Sequence, residues 1–342
     1  MTEKDAYEDL ADMYAQTPMM VDEIRGSLME VLRVQFLPGE AQLAVKVGLD
    51  GGNLDEIAEK TGMDKGKLKT MLFAMAKKGT MWISPEKEGE ERTYRTIGIA
   101  GPGLIETGGW GNVRFPHSVK LMKALYGFQN DFAKHLLAKF PMAVARVWTT
   151  PEALPDDADA GENVAHLVRE AGAWGVSTCS CRLPHWVAEP GNHCDHLLET
   201  CIFLGDNARW GREHGLCREI TADEAIDILS RSNEDGLVHS YDPDEFICNC
   251  CPDCCVLQKG MNEPGGIVLQ PAGFAAVIDT ETCSACGTCA GRCPVNAISV
   301  DEHAAVDEKA CLGCAVCWPS CPTGSVGMKR RAEPVSTPLA TL

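Results

Sequence analysis

Basic residues are scarce in this 342-residue chain. Its 31 lysines and arginines stand against 49 aspartates and glutamates, giving a formal net charge of −18 at pH 7. A surface this negative repels nucleic-acid phosphates and suits steering toward a basic patch on a protein partner. Long apolar runs are missing too. The stretch from Gly266 to Ile278 is broken by Gln270, Pro271 and Gly273, and no run approaches the roughly 20 residues of a membrane helix. The N-terminus, Met-Thr-Glu-Lys-Asp-Ala-Tyr-Glu-Asp-Leu, is acidic and has no apolar core, so no secretory signal and a cytoplasmic location are expected. Walker, nucleophile-elbow and flavin motifs are absent. Gly101-Pro-Gly103-Leu-Ile-Glu lacks the third glycine of a dinucleotide loop and the helix that should open on it, and reads as a linker.

What the chain has in plenty is cysteine, 18 residues, all between Cys179 and Cys321 and in tight groups. In a secreted chain that number would suggest disulfides. Here the grouping fits metal ligation in a reducing compartment, and oxygen-sensitive centres suit an anaerobic habit. The length allows two or three domains, and a hydrophobic fraction of 45% leaves enough apolar material for real cores.

The most specific pattern occurs twice. Cys283-Ser-Ala-Cys286-Gly-Thr-Cys289-Ala-Gly-Arg-Cys293-Pro294 is followed by Cys311-Leu-Gly-Cys314-Ala-Val-Cys317-Trp-Pro-Ser-Cys321-Pro322. Each is C-x2-C-x2-C-x3-C-P, the run that holds a 4Fe–4S cubane, with the fourth cysteine crossing to the other cluster. The spacing therefore predicts Cys283, Cys286, Cys289 and Cys321 at one cluster, and Cys311, Cys314, Cys317 and Cys293 at the other. Four thiolates also suit zinc, but zinc ribbons pair two C-x2-C hooks across a gap. Flanking segments repeat at the same offset: Val277-Ile-Asp-Thr-Glu-Thr with Ala305-Val-Asp-Glu-Lys-Ala, and Ala297-Ile-Ser-Val300 with Ser325-Val-Gly-Met328. Each half reads strand, cluster loop, short helix, strand. Gly287 and Gly313 let backbone amides approach sulfide. Mostly thiolate ligation predicts potentials on the order of −400 mV.

Ten further cysteines precede the repeat: Cys179, Cys181, Cys194, Cys201, Cys217, Cys248, Cys250, Cys251, Cys254 and Cys255. Buried structural cysteines usually occur singly, so this density calls for metal, one or two further iron–sulfur clusters before zinc or inert thiols. Cys179, Cys181, Cys194 and Cys201 form one candidate set. Cys248, Cys251 and Cys254, with Cys250 or Cys255, form another. Side chains of adjacent cysteines diverge, so one member of each pair should be spare or serve a different centre. His185, His193 and His196 lie among these ligands and are candidate nitrogen donors. Arg182 is expected to pair with a cluster sulfur or a carboxylate, and Glu199 to be an internal carboxylate.

From about Glu40 to Ala100 the pattern is a winged helix. Leu43, Ala44 and Val47 begin it. Asn53 with Glu56 makes a capping box for helix 54–61, Gly62 turns, and helix 64–78 buries Leu68, Leu72 and Met75. Met81–Ser84 and Thr93–Ile97 then form a hairpin. The third helix carries Lys65, Lys67, Lys69, Lys77 and Lys78, whereas the wing tip carries Glu86, Glu88, Glu90 and Glu91. A docking or dimerisation module is expected rather than a DNA reader. Leu121, Leu125, Phe128, Phe132 and Leu136 make an amphipathic helix within 118–139, read as core or a helical arm.

Taken with Trp148-Thr-Thr-Pro-Glu-Ala153, Cys179-Ser-Cys181-Arg182, Leu198-Glu199-Thr-Cys201 and Cys248-Asn-Cys250-Cys251-Pro-Asp-Cys254-Cys255, the chain resembles a family of anaerobic 4Fe–4S proteins. These join a winged-helix-like module to a Cys-rich middle and a two-cluster bacterial ferredoxin. Cys217 departs from the pattern. The resemblance implies a multidomain α+β fold: 1–112 winged-helix-like, 113–160 arm and linker, 161–275 irregular Cys-rich domain, 276–328 two-cluster ferredoxin-like domain, 329–342 flexible tail. It implies two 4Fe–4S clusters plus one or two more, and electron transfer to or from a partner oxidoreductase. A homodimer through the winged helix, a catalytic disulfide reductase and a redox-sensing regulator are the alternatives.

Overall fold

The structure is a computed structural model, describing residues 5–17, 21–99, 103–110, 118–136, 142–240, 246–262, 268–333 and 335. The chain mixes helices with short, mostly antiparallel sheets.

The N-terminal part holds α1 (Ala6–Ala15), α2 (Arg25–Gln35), α3 (Pro38–Val47), β1 (Gly52–Asn53), α4 (Leu54–Thr61), α5 (Lys65–Lys77), β2 (Met81–Ile83) and β3 (Thr93–Thr96). The three strands form one sheet in the order β1-β3-β2. Local chemistry sets the boundaries. Pro38 opens α3, and Asn53 and Glu56 cap α4 reciprocally at 2.9 Å. Gly62 ends α4 at φ 69°, a left-handed conformation that favours glycine. Helices α1 and α2 lie within the expected 1–112 module but upstream of the pattern read from about Glu40 to Ala100. Their signal was present: Leu10, Ala11 and Tyr14, then Leu28, Val31, Leu32 and Gln35, have helical spacing and are all buried. The Tyr14 hydroxyl donates to Ile97 O at 2.8 Å, tying α1 to the end of the hairpin.

A one-turn helix, α6 (Leu104–Thr107), follows Gly103. The sequence reading expected no helix there; Glu106 reaches back to the Gly103 amide at 2.9 Å and closes the turn. Gly101 and Pro102 lie outside the described residues. Helix α7 (Ser118–Asp131) runs into a π-helical turn, Phe132–Leu136. It packs on α2 and on a later helix, with Leu121, Leu125, Phe128 and Phe132 buried as its periodicity predicts. Residues 137–139 of the expected helix lie outside the described residues.

The middle of the chain is not irregular, contrary to expectation. After β4 (Ala145–Arg146) and α8 (Val164–Glu170) come β5 (Trp174–Thr178), α9 (Arg182–Ala188), β6 (Glu199–Leu204), α10 (Gly205–His214), β7 (Arg218–Glu219), α11 (Ala222–Glu234), β8 (Val238–Ser240) and β9 (Phe246–Cys250). These strands form a five-stranded antiparallel sheet, β7-β5-β6-β9-β8. The two-residue period sorts its side chains. Ile202, Leu204 and Ile247 pack with α8 and α11 residues in one core. Cys201, Phe203, Phe246 and Cys248 turn to the other, larger core. Cysteine content hid the strands from the sequence reading, because the thiols occupy alternating core-facing positions normally held by aliphatic residues.

Helix α12 (Val256–Asn262) and β10 (Leu269–Gln270), which pairs in parallel with β4, lead into the terminal repeat. There β11 (Phe274–Ile278) pairs with β14 (Val326–Arg330), and β12 (Ile298–Val300) with β13 (Ala304–Val306), both antiparallel. Helix α13 (Thr288–Arg292) lies in the first half. The second half has only turns there. The Gly291 N–H bonds Gly287 O; Pro319, at the equivalent position, has no N–H to give. Nor is Lys329 the start of a flexible tail. Lys329 and Arg330 finish β14, and the Arg331 guanidinium donates to the carbonyls of Ala272, Glu308 and Cys311.

Candidate metal centres

The terminal repeat is symmetric down to its backbone. Ala285, Gly287 and Asn296 have φ of 52°, 78° and 53°; their counterparts Gly313, Ala315 and Gly324 have 74°, 59° and 67°. Two alanines thus sit in the left-handed region, at a cost of about 1–2 kcal/mol each. Such strain persists where the surroundings over-determine it, and here it curls each loop around its thiols. Cys293 Sγ accepts from the Ala297 amide at 3.2 Å, and Cys321 Sγ from the Ser325 amide at 3.2 Å, again equivalent positions.

The thiols fall into two groups by what they face. Cys286 interacts with Cys321, and Cys289 with Cys286 and Cys283. Cys314 interacts with Cys311 and Cys293, and Cys317 with Cys314, Cys311 and Cys293. The first group is the more open, with Cys286 exposed, Cys283 and Cys321 half-buried and Cys289 buried; in the second, Cys311, Cys314 and Cys317 are buried and Cys293 half-buried. Burial pushes the Cys314 thiol up to about 12, while backbone and Thr323 hydrogen bonds overcome burial at Cys321 and draw it down to about 7. The closed group faces the middle of the molecule. Thr149 Oγ1 donates to Gly313 O at 2.7 Å, and Arg292 bridges Val316 O to Asn233 O and Glu234 O at 3.1, 2.9 and 2.8 Å.

In the middle of the chain, β5, β6, β9 and the starts of α9 and α12 converge on one enclosed cavity. Seven thiols line it: Cys179, Cys181, Cys201, Cys248, Cys250 and Cys255, which form a ring, and Cys251, which also approaches Cys194 and Cys254. Each ring thiol acts electrostatically on its neighbours, Cys179 on Cys181, Cys181 on Cys255, Cys255 on Cys250, Cys250 on Cys248, and Cys248 on Cys201. Cys179, Cys248 and Cys250 are held well above the ordinary thiol range, first by a neighbouring thiol and then by burial. Cys201, Cys250 and Cys255 are buried and Cys179, Cys181 and Cys248 half-buried; six thiolates this close would repel one another, so deprotonation requires a cationic core between them.

Beside this ring Cys194, Cys251 and Cys254 form a second group. Their sulfurs lie within 4.8 Å of one another, with Cys194 at 3.8 Å from Cys251 and 3.3 Å from Cys254. His185 Nδ1 stands 3.0 Å from Cys254 Sγ, its ring stacked on Tyr126 at 4.8 Å, and Glu189 faces its other nitrogen at 3.7 Å. Neither candidate set drawn from the sequence is assembled. Cys194 leaves the first for Cys251 and Cys254, and Cys248 joins the ring. The adjacent pairs divide: Cys250 and Cys255 face the ring, Cys254 the trio, and Cys251 lies between them, on the cavity and within the trio.

Arg182 joins the two groups. Its side chain is 0% exposed, with Nη1 on Asn249 O at 2.9 Å and Nη2 on Thr200 Oγ1. Burial alone would lower its pKa; Cys179, Cys251 and Cys250 reverse that and raise it. Among the described residues no carboxylate ion-pairs with it. A buried guanidinium without anionic partners costs several kcal/mol, so its counter-charge is sulfur. Trp110 Nε1 is likewise buried without a partner at hydrogen-bonding geometry, and the sulfur it acts on is Cys201. Buried cationic and N–H groups directed at thiols fit an anionic iron–sulfur centre.

Other candidates fall outside. Cys217 packs against Gly175, Gly211 and Phe203, away from the other thiols, and burial pushes it up to about 12. His193 stacks on Trp186 at 4.9 Å and His196 pairs with Asp235 at 3.1 Å. Glu199 is not internal: it is exposed and bonds Arg218 at 3.0 Å, on the strand edge where its side chain points to solvent.

Residues 276–299 match the family described as 4Fe-4S binding domain. No curated protein and no solved structure matches the chain. The chain therefore carries a 4Fe–4S binding segment with further cysteine groups beside it, and supports iron–sulfur electron transfer. No helix among the described residues is long and apolar enough to cross a membrane.

Proposed function

We propose that the protein is a low-potential electron carrier serving a partner oxidoreductase. Two 4Fe–4S clusters would be held by Cys283, Cys286, Cys289 and Cys321, and by Cys311, Cys314, Cys317 and Cys293, with a further cluster in the six-thiol ring. The observation that carries this reading is the gradient of exposure. An open thiol group at the surface leads to a closed one, which is bonded to the segment leading into the middle thiols. Electrons would enter or leave at the open end and move inward. The net charge of −18 suits docking on a basic partner surface.

The N-terminal part is read as a winged helix used for docking. Its hairpin is engaged within the chain: Trp82 Nε1 donates to Asn207 at 3.2 Å, Lys87 pairs with Asp206 at 2.9 Å, and Arg92 clamps Glu213 at 2.8 and 3.0 Å. This favours an intramolecular brace over a free DNA-reading wing.

The test is anaerobic iron and sulfide counting with a redox titration followed by EPR. About eight irons from the terminal pair plus a further sulfide-matched set are expected, reducing on the order of −400 mV. Colourless protein, or one holding zinc alone, ends this reading.

A further inference from the structure

In the trio Cys194, Cys251 and Cys254 all three sulfurs lie within 4.8 Å of one another, an arrangement no other thiol group has among the described residues. A cubane takes one thiolate per iron, so its ligands stand apart. In the terminal repeat no two of the eight thiols hydrogen-bond each other among the described residues. In the trio they close to 3.3 and 3.8 Å. Tetrahedral bonds of about 2.3 Å from sulfur to one zinc ion put sulfur pairs about 3.8 Å apart. The trio has the spacing of ligands on one shared ion.

The three come from separate places: Cys194 from the loop after α9, Cys251 directly after β9, and Cys254 from the turn before α12. The turn Cys251-Pro-Asp-Cys254 brings two of them together, and the tertiary fold brings Cys194 to that hook. The positive charge of the buried Arg182 guanidinium acts on Cys251. His185 is placed to steady Cys254 through Nδ1, itself held by Tyr126 and faced by Glu189, whose carboxylate accepts from the Tyr126 hydroxyl at 2.8 Å. Among the described residues no fourth His, Cys, Asp or Glu joins the group. Cys251 and Cys254 are buried, but Cys194 is half-exposed, giving access from solvent. Three protein ligands with one position left over is the arrangement of zinc sites that bind water or substrate; structural sites close all four.

We propose that Cys194, Cys251 and Cys254 hold one divalent ion of borderline softness, zinc or ferrous iron, with its fourth position open to an exogenous ligand such as a thiol. The site is mononuclear and separate from the iron–sulfur clusters. Thiolate donors select such ions over magnesium, calcium or manganese.

The test uses the full chain purified anaerobically, with metal and acid-labile sulfide measured on the same sample. Wild type should carry one divalent ion per chain beyond the iron matched by sulfide. Cys194→Ser should lose that ion and leave sulfide unchanged, with the visible cluster absorbance as the folding control. Loss of sulfide together with iron would make the trio part of a cluster, overturning the proposal while leaving electron transfer intact. No surplus ion in wild type overturns it as well. Where Cys194→Ser does not fold, cobalt replacement in wild type decides: tetrahedral cobalt–thiolate bands that shift on adding 2-mercaptoethanol support an open ion. Absent bands, or bands that a thiol leaves unchanged, refute it.

Discussion

At the level of single residues, charge and handedness do most of the work. Arg182 is buried among thiols, and truncating one side of such a pair leaves the other uncompensated. Arg182→Met should destabilise the protein by roughly 3–5 kcal/mol and strip sulfide-bound iron from the middle while the terminal clusters keep their EPR signals; Arg182→Lys should retain part of it. Loss of terminal signals instead would place the arginine's influence elsewhere. In the terminal repeat Ala285 and Ala315 sit at φ 52° and 59°. Ala285→Gly should slow denaturant bleaching of the cluster absorbance, gaining about 1 kcal/mol. Gly313→Ala should do the opposite and more strongly, because its Cβ would fall 2.2 Å from Phe274 O. The C-x2-C-x2-C-x3-C-P spacing made the 4Fe–4S binding segment at residues 276–299 legible in the sequence. The sharing of the middle cysteines was not readable, because Cys194 lies far in sequence from Cys251 and Cys254 and only the tertiary fold joins them.

Among the elements, α10 is the brace between the N-terminal part and the central sheet. His214 on α10 is buried against Phe73 of α5, ring centroids 5.5 Å apart, with both ring nitrogens unpartnered. Burial lowers its pKa to about 4 from the ordinary 6.5. The unfolded chain therefore binds the proton first. The neutral ring's contribution is intact above pH 6.5 and is lost as pH falls toward 4, roughly 3 kcal/mol in all. Thermal unfolding should show this slope in wild type and a shallower one in His214→Phe. Identical slopes would remove His214 from the account. Helices α3 to α5 and the hairpin were legible from their caps and spacing. The central sheet was not: thiols at its core-facing positions disguised the two-residue alternation as a metal-binding loop.

For the molecule as a whole, the order of exposure predicts an order of oxidative loss. Stepwise addition of ferricyanide under argon should destroy the cluster at Cys283, Cys286, Cys289 and Cys321 first, since Cys286 is exposed. The closed terminal cluster and the middle centre should follow. Simultaneous loss, read from EPR and released iron, would mean the terminal thiols are not the entrance.

The short segment from Cys250 to Cys255 gives its outer thiols to the cavity and its inner thiols to the trio, with Cys251 touching both. Six residues thus form the seam between the two groups. Whatever fixes Cys251 and Cys254 also fixes where Cys250 and Cys255 stand, so an ion held by the trio should tune the neighbouring centre without deciding whether that centre is present.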